Sequence, residues 1–291
     1  MKVGIDSYCF HRLFGEVYPG QERPEKEWTF DDFLAMLPAL NIDGISLESC
    51  FIPSFTPNYL QYIKEQLDKE NLDRVYAWGH PDGLEGGVNE RAFEDMLKHI
   101  EYAKAIGATV MRVVGSSLQY RFLPHQPQLE ALTRMFASAV KVAEANGIKL
   151  AVENHIDYNS DEIMQLVKDV NSPSFGVNFD SGNFLRVLDD PLQAMEKLAP
   201  YVFATHIKDL KPVLGVPANE WYFFSCVPTG EGLIENQKLA NILRAHNYKG
   251  FLAVEIDFLH PDYKNQEEQV VRRSIQALRL LTQKSTLHEA T

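Results

Sequence analysis

The 291-residue chain has only three cysteines, Cys9, Cys50 and Cys226, widely spaced and with no Cys-x-x-Cys pair. An odd, scattered set excludes a disulfide framework and a Cys-rich zinc site, and reads as buried thiols of a cytoplasmic protein. No run of Lys and Arg occurs, and the formal net charge is −12. Binding a phosphate backbone needs clustered cations, so nucleic acid is not expected as a partner. No apolar stretch approaches the ~18 residues of a membrane span, so no membrane partner is expected either. No charged segment followed by an apolar core opens the chain, which also fits a cytoplasmic location. Neither a Gly-x-Gly-x-x-Gly after the first apolar run nor a Walker sequence is present, and this argues against a dinucleotide or nucleoside-triphosphate cradle. What is there suits an ordinary globular enzyme: 45% hydrophobic and 23% charged residues are ample for one sizeable core.

Short apolar runs occur at 2–6, 43–48, 73–78, 109–114, 148–153, 175–180, 202–207 and 251–256. Helical periodicity fills the gaps. Residues 90–106 place Phe93, Met96, Leu97, Ile100 and Ala103 on one face, with Gly107 as a stop, and 128–145 repeat the design before Asn146-Gly147. Further helices are expected from Asp161 to Val170, near Pro191 and over 234–246, and Thr29-Phe-Asp-Asp32 resembles a capping box. Eight strands alternating with helices predict a parallel sheet with right-handed crossovers, and eight is the number that closes a barrel. The expected architecture is one (β/α)8 TIM barrel over residues 1–291, with a doubly wound open sheet as the alternative. The long connections 8–28 and 209–233 fall on the catalytic face of such a barrel, as lids or substrate walls.

Four of the later runs end in a group able to bind metal: Glu153 in LAVENH, Asp180 in FGVNFDSGN, His206 in FATHIKD and Glu255 in FLAVEID. Buried parallel strands are near-continuous apolar stretches, so an ionisable group there is costly unless paired or bound to a cation. Taken singly, Glu153 is a helix cap or ion pair, Asp180 shapes a turn and His206 is a bonded core histidine. Taken together, three carboxylates around one imidazole at one end of a barrel repel unless a cation neutralises them. One nitrogen and three carboxylate oxygens form a hard donor set that suits Mn²⁺ first, with Mg²⁺ or Co²⁺ as alternatives, better than a structural zinc.

On these residues, and on the stretch Val227-Pro-Thr-Gly-Glu-Gly232, nearly the whole chain resembles the xylose isomerase-like barrel superfamily of sugar isomerases, epimerases and inosose dehydratase-type enzymes. The resemblance implies that Glu153 and Glu255 also act as acid and base beside the substrate carbonyl, while Asp180 and His206 mainly hold metal. Two departures count against simple ketose epimerisation. Asn183 stands where many relatives carry a His, and an Arg shortly after the metal His is replaced by Lys208 and Lys211. His155, two residues past Glu153, is placed to take a proton near pH 7, or else is a surface loop histidine. Its position resembles that of the base in metal-dependent C-glycoside deglycosidases, which β-eliminate 3-oxo glycosides and work with a smaller partner subunit.

Further expected substrate contacts are His11, Glu48, His80, Asn183 and Lys208, with Arg112 beside them, although strand alternation is taken to turn Lys208 outward. Tyr8 and Phe10 are offered with His11 as pocket walls, and Trp221 to Phe224 as a lid, a partner contact or a packed loop. His99, His125, His246 and His288 read as surface residues. The expected substrate is a keto-sugar or glycoside, handled by isomerisation, epimerisation or elimination, in a homo-oligomer or with a small partner subunit. An endonuclease IV-like repair enzyme would need more His ligands and a basic groove. A non-catalytic sugar-binding barrel would have no need of the full ligand set.

Overall fold

The structure is a computed structural model that describes residues 1–80 and 82–283. Every apolar run named above forms a strand: β1 (Lys2–Asp6), β2 (Gly44–Glu48), β3 (Asp73–Ala77), β4 (Val110–Val114), β5 (Lys149–Glu153), β6 (Phe175–Asp180), β7 (Val202–Ile207) and, after a small ribbon of β8 (Leu210–Pro212) and β9 (Phe224–Cys226), β10 (Phe251–Val254). The eight barrel strands pair in parallel in chain order, and β10 closes onto β1. Between them lie α1 (Phe30–Met36), α2 (Pro57–Lys69), α3 (Glu90–Ala105), α4 (His125–Ala145), α5 (Ser160–Val170), the short α6 (Ser181–Arg186), α7 (Pro191–Leu198), α8 (Asn236–Ala245) and α9 (Glu267–Thr282). This is a (β/α)8 TIM barrel, as the alternation requires.

The capping box forms at α1. The Thr29 hydroxyl accepts the Asp32 N–H at 3.1 Å, and the Asp32 carboxylate accepts the Thr29 N–H at 2.9 Å. The helix faces read from the sequence are the buried ones: Met96, Ile100 and Ala103 on α3, and Leu129, Leu132, Phe136, Val140 and Ala143 on α4. Because side chains alternate along a strand, the barrel interior receives every second residue. At the amino-terminal end that interior is apolar. Phe251 packs there with Val75, Ala204 and Ala253. A Cβ on Gly4 or Gly44 would come within 2.5 or 2.3 Å of its ring, so glycine at both positions makes room for this plug. The same rows become polar toward the carboxyl ends, as Ala204–His206–Lys208 and Phe251–Ala253–Glu255–Asp257.

Four expectations change. The ribbon β8–β9 was not anticipated inside the connection 209–233. His99 is buried, not a surface residue, and its Nδ1 lies 2.6 Å from the Tyr76 hydroxyl. Phe10 is fully buried against Trp28 and Phe33 instead of lining a pocket. Cys50 is exposed, while Cys9 and Cys226 are buried. His288 lies outside the described residues.

One buried carboxylate shapes the stretch that follows β9. Asp209 accepts the N–H groups of Gly230 at 2.8 Å, Gly232 at 3.0 Å and Ile234 at 3.1 Å. A Cβ at Gly232 would lie 2.1 Å from the same carboxylate, so the second glycine is a matter of space. Asp209→Ala strands these donors and is expected to cost at least about 2 kcal/mol in urea unfolding. A variant as stable as the parent would contradict this role.

Candidate active site and metal centre

Glu153, Asp180 and His206 sit at the ends of β5, β6 and β7, and Glu255 directly follows β10. Sheet register aligns them, with Asp180 paired to His206 and His206 to Ala253, two residues before Glu255. One ligand atom from each of the four residues lies within 4.8 Å of the others, and all four side chains are buried. His206 Nδ1 faces the group, 3.2 Å from Glu153, 3.0 Å from Glu255 and 4.0 Å from Asp180.

Cations surround the cluster, and one of them bridges two of its carboxylates. Lys208 reaches inward, with Nζ 2.5 Å from Asp180, 2.9 Å from Glu255 and 3.0 Å from Asp257. The outward orientation expected of it is overturned, because residues two apart share a strand face. Arg112 pairs with Glu48 and stands 3.0 Å from Glu153, while Arg186 forks onto Asp257. Six buried carboxylates (Asp6, Glu48, Glu153, Asp180, Glu255 and Asp257) thus share this end of the barrel with three permanent cations, Arg112, Arg186 and Lys208. That leaves three carboxylates without a permanent counter-charge.

The proton affinities follow from this crowding. Burial alone would raise the Glu153 carboxyl, but Arg112 and His206 outweigh it and hold it at about 2. Glu255 is likewise held well below the carboxylate range, because His206 and Lys208 overcome its burial. Asp180 goes the other way: burial pushes it up to about 8, and Glu255 and Glu153 add to this against Lys208. Burial would lower His206, yet Glu255 and Glu153 keep it well above the usual imidazole value. The cluster therefore holds protons that a divalent ion would displace. Its hard oxygen-and-imidazole donors and surplus negative charge fit such an ion.

A cavity of about 540 Å³ opens above the cluster. Of the expected contacts, Glu48, His80, His155, Asn183 and Lys208 line it, with Arg112. His11 does not. It is buried behind Tyr8, stacked on that ring at 4.9 Å with Nδ1 2.8 Å from the Glu16 carbonyl, and so supports the first loop. His80 stacks on Trp78 at 5.2 Å. Asn183 accepts from Arg186 at 3.1 Å and from Lys208 at 3.3 Å. His155 is half-buried, its backbone N–H tied to Asp157 at 2.8 Å, and burial lowers its imidazole. The next residue, Ile156, adopts φ +57°, a strained conformation for a β-branched side chain.

The walls come from the two long connections. Tyr8 and Tyr18 of the first meet Glu16 through their hydroxyls, and Tyr18 packs edge-on to Trp221 of the second at 5.2 Å. Arg186 lies 5.2 Å over the Trp221 ring.

Several participants escaped the sequence reading. Asp257 follows Glu255 by two residues, a spacing that places both inside, and Asp6 ends the first run as Glu153 ends the fifth. Arg186 carried no such signal, since it lies on α6 and reaches the site through folding alone.

The model of the xylose isomerase-like TIM barrel family matches residues 34–281. The chain belongs to this family. Among its members, an inosose dehydratase of Histophilus somni (strain 129Pt) is 22% identical over 258 residues, covering 80% of this chain and 84% of that one. The barrel superposes on D-psicose 3-epimerase, solved in the presence of D-fructose, with a TM-score of 0.73 at 14% identity, covering 96% of this chain and 98% of the other. It also superposes on the IOLI protein, solved with a binding zinc atom, with a TM-score of 0.72 at 15% identity, over 97% and 98% of the two chains. Identities this low to solved structures establish the family fold alone.

Because binding to the folded state alone stabilises it, Mn²⁺ at 100 times its dissociation constant should add about 2.7 kcal/mol, read as a rise of several degrees in Tm over the EDTA-treated protein. The rise should grow from pH 6 to 8, as the Asp180 carboxyl, pushed up to about 8, gives up its proton. Asp180→Asn and His206→Ala should abolish it. An equal rise in these variants would mean that the ion binds elsewhere.

Proposed function

We propose that this chain is a divalent-metal-dependent carbohydrate enzyme of the isomerase and epimerase type, which removes a proton next to the carbonyl of a keto-sugar or oxo-glycoside. The observation that carries the reading is the convergence of Glu153, Asp180, His206 and Glu255 at a cavity that Glu153 and Glu255 line and that is large enough for such a substrate. The names of the relatives, an inosose dehydratase and a D-psicose 3-epimerase, support the substrate class. Mn²⁺ is the ion we assign, with Mg²⁺ or Co²⁺ satisfying the same donors.

When bound, the ion supplies positive charge that stabilises the oxyanion formed as the carbon-bound proton leaves. The protein does the rest. Arg112 keeps Glu153 ionised and Lys208 does the same for Glu255, so each glutamate is available as a base. Glu48, His80, Asn183 and Lys208 offer hydrogen bonds to hydroxyl groups, while Tyr8, Tyr18 and Trp221 present aromatic faces to the substrate and keep water out. Reprotonation on the opposite face gives an epimer, and relocation of the proton gives an isomer.

A second reading is favoured by one observation: His155 lines the cavity together with Glu153. His155 then takes the proton, and the electron pair left on carbon forms a double bond as the β-substituent departs, which makes the enzyme a lyase on 3-oxo C-glycosides. Phe122 and Leu214, 84% and 95% exposed on the connections after β4 and β8, offer contacts to a small partner subunit or to a second copy.

The test is proton exchange. Metal-loaded protein in D₂O with free ketoses, inososes and 3-oxo glycosides should incorporate deuterium beside the carbonyl, and EDTA should stop it. Glu153→Gln should lose at least about 100-fold in rate, within the usual contribution of a general base. His155→Gln should lose comparably only if the lyase reading holds, while retaining metal. No exchange with any of these substrates would overturn the proposal.

A further inference from the structure

We propose that Asp6 is a positioning residue for the metal centre, whose carboxylate fixes the His206 ring so that Nδ1 faces the other three ligands. The inference rests on the reading of Glu153, Asp180, His206 and Glu255 as a site for a divalent ion. Asp6 ends β1 and His206 lies near the end of β7, and both are fully buried. Asp6 Oδ2 stands 3.3 Å from His206 Nε2. Neither atom has a hydrogen-bond partner among the described residues, so the pair stands in ionic contact and each is the only polar group offered to the other. Asp6 Oδ1 accepts the Tyr8 N–H at 2.6 Å.

An imidazole bound through one nitrogen must carry its proton on the other, and the partner of that second nitrogen decides both the tautomer and the ring orientation. With a carboxylate opposite Nε2, the proton belongs on Nε2 and the lone pair on Nδ1, the nitrogen that points at Glu153 and Glu255. The second oxygen of the same carboxylate holds the backbone of Tyr8, whose ring lines the cavity. One side chain therefore ties the ligand nitrogen to the first residue of the aromatic wall.

Asp6→Asn isolates this role with almost no change in volume. An amide has one acceptor oxygen and one NH₂. If the oxygen keeps the Tyr8 N–H, the NH₂ faces Nε2 and is satisfied only by a lone pair there, which moves the ring proton to Nδ1. If the amide turns over, its NH₂ opposes the Tyr8 N–H. Competition with a chromophoric chelator, using Mn²⁺ and Zn²⁺ as probes, should show affinity lower by roughly 10–100-fold. The metal-free variant should keep the parent's circular dichroism. Parental affinity in Asp6→Asn would overturn the proposal, as would a lowered Tm of the metal-free protein with unchanged affinity, the signature of a merely structural role.

Nitrogen-15 NMR of the Zn²⁺-loaded parent gives an answer that does not depend on the variant folding. The expected state is Nε2 protonated and Nδ1 bound to metal, and the reverse would overturn the inference. A parent chain that binds neither ion would defeat the metal reading itself, a different failure from a parent that binds and an Asp6→Asn that binds equally well.

Discussion

Repulsion among buried carboxylates at one end of the barrel is the constraint on which the rest of this site depends. Moving an ion out of water costs several kcal/mol even after relaxation, and like charges at these distances add to that cost. The chain meets it with Arg112, Lys208 and Arg186, each forked or bridged between acidic partners, and with His206 in the middle. These cations hold individual groups in defined protonation states, yet they are too few to neutralise the cluster. A barrel that concentrates this much uncompensated acid around one imidazole is arranged for a cation that arrives from solution.

The surrounding architecture follows from strand alternation and from the connections. Phe251 closes the amino-terminal end of the interior, so the cavity opens at the other end only, among the loops. Tyr8 and Tyr18 come from one long connection and Trp221 from the other, and their contact joins two segments roughly two hundred residues apart in sequence into one wall. Arg186 lies over Trp221 while its guanidinium binds Asp257, so the wall and the charged floor share a side chain. The strained Ile156 beside His155 belongs to the same economy: left-handed backbone in a β-branched residue persists only where neighbouring contacts enforce it, and here Asp157 holds the loop.

Much of this was legible in the sequence. The eight strands follow from eight apolar runs whose bounds shift by no more than a residue or two, because buried parallel strands write themselves as continuous apolar segments. The four residues of the acidic cluster were visible because each interrupts such a run at or near its end. Lys208 was misjudged, although the two-residue period that places His206 inside places Lys208 there as well. His99 was misread because a helix-borne histidine gives no sign that Tyr76 waits across the interface with β3. Arg186, Tyr18 and the failure of His11 to reach the cavity lay beyond sequence reasoning, since each depends on how long connections fold back over the barrel mouth.

The measurement that tests the central claim most directly is an anomalous-difference map from crystals grown with Mn²⁺. The account predicts one strong peak within coordination distance of Glu153, Asp180, His206 Nδ1 and Glu255, with the Lys208 ammonium displaced from between Asp180 and Glu255. A map with no peak among these four residues, and with Lys208 still bridging the carboxylates, would contradict it.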